Sequence, residues 1–174
     1  LARARRGRGR PAGGTAAGTS RPLNTRGSMR VLLVYSNQTR DVILPAPIGL
    51  SYVASATRRA GHDVHFLDLL TARDPQAALN AALHDFQPEV IGISVRNIDN
   101  IVHQRLHTHL DELARFIGQI RAASGQRVPI VLGGPAISVL GGRALKHVDA
   151  DYAVRGEGET TFPALLEALA AGRD

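Results

Sequence analysis

The chain has 174 residues, enough for one domain of common size, and 44% of them are hydrophobic. It contains no cysteine, which excludes a disulfide framework, a thiolate nucleophile and a Cys-ligated zinc or iron–sulfur site within this sequence. No run of about 18 apolar residues predicts a membrane span, and no apolar segment follows the basic N-terminus as a secretory signal would require. We therefore expect a cytoplasmic location and no membrane partner.

The net charge of +6 comes from the N-terminal segment. Residues 1–28 carry seven arginines and no acid, which leaves 14 basic residues against 15 acidic ones in the rest of the chain. This balance argues against a nucleic-acid partner for the body of the protein. The segment itself is low in complexity and predicts a disordered basic tail. It is either an RNA-binding or targeting arm or not native coding sequence; the only methionine, Met29, directly precedes the first strand and favours the second interpretation.

From Met29 onward, apolar runs typical of strands alternate with amphipathic segments typical of helices. The first run, RVLLVYS, is continuously apolar, as expected of a strand covered on both faces. Asp74 and Pro75 form a good helix start. The predicted strands are Arg30–Ser36, Asp63–Leu69, Glu89–Val95, Val128–Gly134 and Asp151–Gly156. The predicted helices cover residues 48–61, 75–86, 106–124, 137–146 and 160–172.

This alternation predicts an α/β fold, a doubly wound parallel sheet of five strands in the flavodoxin-like (Rossmann-like) order 2-1-3-4-5. In such a sheet the ligand site lies beyond the carboxyl ends of the strands, at the switch point between the first and third. The connections after these two strands, starting at Ser36 and at Arg96, are longer than the usual 2–6 residues. Both observations place the candidate site at this edge.

The segment VPIVLGGPAIS ends the fourth strand in Gly133 and Gly134, followed by Pro135. Two glycines there either serve a tight turn or let a large, flat ligand approach the backbone closely. The segment RGEGET, with Gly156 and Glu157, ends the fifth strand at the same edge. It resembles half of a phosphate-binding glycine loop but is not the dinucleotide fingerprint; the alternative is an acidic helix start.

The third strand ends in the segment SVRN, whose Ser94, Arg96 and Asn97 either hydrogen-bond a ligand or face water. His103 and His107 are spaced i, i+4, as zinc ligands on a helix can be, but no third ligand is evident and a polar helix start is the simpler interpretation. No arrangement of residues predicts a catalytic or metal-binding group in this chain.

Four segments, in order, resemble the N-terminal cobalamin-binding domain of cobalamin-dependent radical S-adenosylmethionine (SAM) enzymes. They are LPAPIGLSYVASATRRAGHDVHFLDL, PEVIGISVRN, VPIVLGGPAIS and DADYAVRGEGETTFPALLEAL. The resemblance covers Met29 to about Leu169. It implies a cobalamin-binding domain over residues 29–171, with the corrin across the carboxyl edge of the sheet and the nucleotide tail between sheet and helices. The family's serine and glycine pair correspond to Ser94, Gly133 and Gly134.

Two features of cobalamin-dependent enzymes are missing from this sequence. The loop after the first strand has no histidine to serve as a lower cobalt ligand, as is usual for the radical enzymes. The family's catalytic domain needs three cysteines for its 4Fe–4S cluster, so that cluster, SAM and the methyl transfer or related radical chemistry are expected on a radical SAM domain downstream or on another chain. The predicted cofactor contacts are Ser36, Asn37, Ser94, Val95, Arg96, Asn97, Gly133, Gly134, Pro135, Gly156 and Glu157.

A second hypothesis is a flavodoxin-like or receiver-like interaction domain without a cofactor. A receiver needs an acidic cluster after the first strand, where this chain has Tyr35, Ser36 and Asn37. It also needs a phosphorylatable aspartate after the third strand, where Asp99 is available. The missing acidic cluster makes this the weaker of the two hypotheses.

Overall fold

The structure, a computed structural model, describes residues 27–37, 45–96, 109–124, 127–140 and 142–173. Within these ranges five parallel strands form one sheet in the order β2-β1-β3-β4-β5, which confirms the predicted fold and strand order. The strands are β1 (Arg30–Tyr35), β2 (Asp63–Asp68), β3 (Val90–Ser94), β4 (Ile130–Gly133) and β5 (Tyr152–Ala153). Each is shorter than predicted, by one residue in β1 and by up to four in β5.

The helices are α1 (Ile48–Arg59), α2 (Pro75–Phe86), α3 (His109–Ala123), α4 (Pro135–Leu140), α5 (Gly142–Val148) and α6 (Gly158–Ala170). The predicted start of α2 is confirmed, since the Asp74 carboxylate accepts a hydrogen bond of 2.9 Å from the Ala77 amide and Pro75 is the first helical residue. The single helix predicted over 137–146 is instead two short ones. Across the described ranges, no helix is long and apolar enough to cross a bilayer.

The sheet is buried on both faces by different helices. Leu32 and Val34 of β1 belong to a core cluster with residues of α2 and α3, whereas Val31, Leu33 and Tyr35 belong to a second cluster with residues of α1 and α6. None of these five β1 side chains is more than 3% exposed. This two-sided burial explains the continuous apolar run of the first strand.

At the amino-terminal edge of the sheet, Asp151 lies just before β5 and bonds to the first residue of β4. Its carboxylate accepts hydrogen bonds from Arg121 Nη2 (2.6 Å), Arg127 Nη2 (2.9 Å) and the Ile130 amide (2.8 Å). Burial alone would raise the pKa of Asp151, but these donors outweigh burial and lower that pKa below its ordinary value. This edge is therefore held by an ion-paired carboxylate.

His62, just before β2, is only 6% exposed, and its Nδ1 accepts a hydrogen bond of 3.2 Å from the Met29 amide. Burial lowers the pKa of His62 from its ordinary 6.5, while the negative charge of Glu167 offsets this in part. Below pH 6.5, His62 therefore binds a proton more readily in the unfolded chain than in the folded domain. We expect the free energy of unfolding to fall with decreasing pH in this range, by at most about 1.4 kcal/mol per pH unit.

Urea unfolding at a series of pH values from 7.5 down to 5.5 measures this dependence. His62→Asn keeps an acceptor for the Met29 amide but cannot titrate, so its unfolding free energy should change less over the same range. Equal pH dependence in the two proteins would show that His62 is not the responsible group.

Candidate functional site

A cavity of about 610 Å³ opens at the carboxyl edge of the sheet. It lies between the carboxyl halves of β1, β3 and β4 on one side and helices α1 and α6 on the other. The residues that line it from the strands are Leu33, Tyr35, Gly92, Ile93, Ser94, Val131, Leu132 and Gly133. Those that line it from α1 and α6 are Ile48, Gly49, Leu50, Val53, Gly158, Glu159 and Phe162. The predicted location of the site, at the carboxyl ends of the first and third strands, coincides with this cavity.

The central strands of the sheet carry small residues where they face the cavity. Tyr35, Ser94 and Gly133 lie side by side on β1, β3 and β4, and Gly92 lies two residues before Ser94 on the same face. We call Gly92, Ser94 and Gly133 the small-residue trough. Because neighbouring strands are about 4.8 Å apart, the missing side chains leave a depression in the middle of an otherwise bulky surface.

The two glycines of the pair have different surroundings. Gly134 has φ +98°, and a Cβ there would lie 2.6 Å from the Val95 carbonyl oxygen and 3.1 Å from the Val95 nitrogen. A Cβ at Gly133 would meet no atom closer than the Val154 carbonyl oxygen at 4.0 Å. Gly134 is therefore required by the chain itself, whereas the space beside Gly133 stays open toward the cavity.

Ser138 of α4 joins the two glycine-containing segments at this edge. Its hydroxyl donates to the Gly134 carbonyl (3.3 Å) and accepts from the Gly156 amide (3.2 Å), while Arg155 Nη2 donates to the Ser138 carbonyl (3.2 Å). Because the Gly156 amide is already paired, the segment RGEGET does not present it to a phosphate. The acidic-helix-start interpretation fits, since Glu159 lies in the first turn of α6.

A family model described as the B12 binding domain matches residues 44–166 of the chain, which include both glycine segments and the helices around the cavity. The chain belongs to the B12-binding domain family. The predicted family and its cofactor, cobalamin, are thereby confirmed.

Two curated relatives are methylating enzymes. The chain is 28% identical to tryptophan 2-C-methyltransferase of Streptomyces laurentii over 144 residues, covering 82% of this chain and 23% of the relative. It is 31% identical to hopanoid C-3 methylase of Methylococcus capsulatus over 150 residues, covering 82% of this chain and 26% of the relative. This B12-binding domain thus spans about a quarter of the length of these relatives.

A solved structure gives the same result in three dimensions. The domain superposes with a TM-score of 0.75 and 31% identity on the radical SAM methyltransferase TsrM from Kitasatospora setae, solved with cobalamin and a 4Fe–4S cluster bound. The superposition covers 84% of this chain and 25% of that one. The chain is accordingly a cobalamin module similar to that of cobalamin-dependent radical SAM methyltransferases.

Most of the predicted contact residues of this B12-binding domain lie at the cavity. The lining includes Ser94, Arg96, Gly133, Gly134, Pro135 and Gly156. In the part of the chain that the structure describes, the Ser94 hydroxyl and the Arg96 guanidinium have no hydrogen-bonding or ionic partner, so both are available to a ligand. Asn97 lies outside the described residues, as do Asp99, His103 and His107.

The other described residues among the predicted contacts do not line the cavity. The Ser36 hydroxyl donates to the Ser94 carbonyl (2.9 Å), and Asn37 Nδ2 donates to the Tyr35 hydroxyl (3.4 Å), which itself donates to the Pro45 carbonyl (3.3 Å). These bonds hold the start of the first long loop against β3 and both of its ends against Tyr35 of β1. Val95 is buried on the opposite face, with its amide bonded to the Gly133 carbonyl (2.8 Å). Glu157 is the N-cap residue of α6.

Among the lining residues that the sequence did not predict as contacts, three shape the cavity: Gly92, Ser138 and Phe162. Gly92 interrupts the apolar run VIGIS, and a glycine inside a strand is a signal of close backbone approach. Ser138 and Phe162 carry no such signal, because a serine or phenylalanine near a helix start is common. Among the described residues, no group of three His, Asp or Glu side chains could hold a metal ion, and Asp111 is paired with His147 at 2.9 Å.

Proposed function

We propose that this domain holds cobalamin with its corrin on the carboxyl edge of the sheet and its nucleotide tail in the cavity, as the cofactor module of a radical SAM enzyme. The observation that carries the proposal is the open space beside Gly133, since a Cβ there would enter the cavity rather than meet the chain. The cavity is too small for a whole cobalamin, which supports a tail inside and a macrocycle outside. We take residues 29–171 as the limits of the module and the cytoplasm as its location.

The residues present fit this cofactor. The trough gives a flat ring system access to the backbone of β3 and β4. Within it the Ser94 hydroxyl can donate one hydrogen bond to a ring nitrogen or ribose oxygen of the tail. Arg96 is exposed at the mouth, where its guanidinium can donate to amide or phosphate oxygens. Cobalamin itself supplies a cobalt centre that accepts and donates a methyl group.

The chemistry of the whole enzyme requires groups that this sequence does not contain. The chain has no cysteine, and it spans about a quarter of relatives that include methyltransferases. We propose that SAM and a 4Fe–4S cluster are held by a radical SAM domain, on the same polypeptide or another, and that the enzyme transfers a methyl group. The domain described here positions the cofactor and does not itself activate the substrate.

Cobalamin binding can be tested on the purified chain. Mixed with excess hydroxocobalamin and passed through gel filtration, the domain should retain about one corrin per chain, measured by visible absorbance. Reduced to cob(II)alamin, the bound cofactor should give an electron paramagnetic resonance spectrum without nitrogen superhyperfine splitting, because the proposed placement keeps the nucleotide base in the cavity and the first long loop has no histidine to replace it as a ligand. A folded domain that retains no corrin would contradict the proposal, and a nitrogen-split spectrum would contradict the expectation about the cobalt ligand.

A further inference from the structure

One aromatic ring closes the inner end of the cavity. Phe162, in the second turn of α6, is 3% exposed and lines the cavity opposite β3. A Cβ built on Gly92 would lie 3.2 Å from Phe162 Cζ and 3.4 Å from Cε2, so the edge of the ring lies directly on the β3 backbone. The same Cβ would lie 2.6 Å from Leu33 Cδ2, which closes the β1 side.

The position of this ring limits the depth of the trough. Ser94 and Gly92 are two residues apart on the same face of β3, a separation of about 7 Å along the strand. Part of a ligand that enters the trough beyond Ser94 can therefore extend by about 7 Å before it contacts Phe162. That depth admits one small, flat ring system and stops a longer one.

Phe162 cannot easily move away. It belongs to the core cluster formed by α1, α6 and one face of the sheet, together with Leu50, Val131 and Leu166. A core at normal packing density accepts added atoms only by forcing side chains out of their preferred rotamers. The floor of the cavity is thus a fixed boundary.

We propose that Phe162, in contact with Gly92, is a specificity-determining residue that selects among cobamides by the size of the nucleotide base. This inference rests on the proposed placement of the nucleotide tail in the cavity. A benzimidazole base fits above the ring, whereas a base extended by a further fused ring must displace it. Phe162→Leu deepens the trough and removes this discrimination.

The test compares three corrinoids by absorbance titration: hydroxocobalamin, a cobamide with a naphthimidazole base, and cobinamide, which has no nucleotide tail. The natural domain should bind hydroxocobalamin at least about tenfold more tightly than either of the others. In Phe162→Leu the preference over the naphthimidazole cobamide should shrink by about tenfold, with the cobinamide dissociation constant unchanged. Leu166→Val, in the same helix and core cluster but outside the cavity lining, is the matched control and should keep the natural preference.

The outcomes separate the two proposals. If Phe162→Leu and Leu166→Val both keep the natural preference, Phe162 does not select the base, and the tail placement stands. If the natural domain binds cobinamide as tightly as hydroxocobalamin, the tail placement and this inference both fail. Should Phe162→Leu not fold, Gly92→Ala tests the same contact from the other side: its methyl group presses on Leu33 and Phe162 and should weaken hydroxocobalamin binding without affecting cobinamide.

Discussion

Replacing Gly134 by alanine should lower the free energy of unfolding by about 2–3 kcal/mol, the largest effect on stability that we expect from one methyl group. The backbone of Gly134 has φ +98°, a conformation that costs a non-glycine residue about 1–3 kcal/mol. The added Cβ would also lie 2.6 Å from the Val95 carbonyl oxygen, which accepts a hydrogen bond from the Ala136 amide. The methyl group therefore pushes β3 and the start of α4 apart.

Thermal unfolding followed by circular dichroism measures this effect, with an expected decrease in Tm of roughly 5–10 °C. Gly133→Ala is the matched control, since it adds the same methyl group one residue earlier, where no atom lies closer than 4.0 Å. If both variants lost the same stability, or if Gly134→Ala were as stable as the natural domain, our account of the close approach would be wrong.

Replacing Gly133 by valine should weaken hydroxocobalamin binding by roughly 100-fold or more while the domain stays folded. Gly133 faces the cavity in register with Ser94, so the isopropyl group would occupy the trough. A misplaced methylene or two in a close-fitting apolar site costs about one to two orders of magnitude in affinity. The strand itself should accept valine, because β-branched residues suit a β-strand better than glycine does.

Absorbance titration gives the affinity, and urea unfolding verifies that the stability differs from the natural value by less than about 1 kcal/mol. Gly118→Ala, on the exposed side of α3 where an added Cβ has open space, should leave the affinity unchanged and raise the free energy of unfolding by about 1 kcal/mol, because alanine favours a helix interior over glycine. Tight binding by Gly133→Val would mean that the cofactor does not use the trough, and the proposed site would have to be abandoned.

The two glycines of the segment VPIVLGGPAIS differ in their surroundings. Gly134 permits a tight turn because its φ is positive, whereas the backbone beside Gly133 is open, as the proposed binding of a large ligand requires. Sequence patterns cannot separate the two roles, because glycine is compatible with both. The distinction depends on whether β3 or the cavity lies opposite each residue.

Patterns in the sequence were sufficient to predict the architecture of this protein and the sheet edge at which the cavity lies. The apolar run of β1 and the Asp74–Pro75 start of α2 are local patterns, each formed by a few adjacent residues. Long connections and small residues at the strand ends were sufficient to predict the edge where the cavity lies, and the motifs around Ser94, Gly133 and Gly156 were sufficient to indicate the family.

Which side chains line the cavity depends on the packing of distant elements. Ser36 and Asn37 have the right chemistry at the right edge, yet they hold the first loop because the Ser94 carbonyl and the Tyr35 hydroxyl lie within reach. Phe162 closes the cavity because α6 packs across β3 at Gly92, 70 residues earlier in the chain. Such contacts depend on how elements that are distant in the sequence pack against each other, and local sequence patterns do not predict that packing.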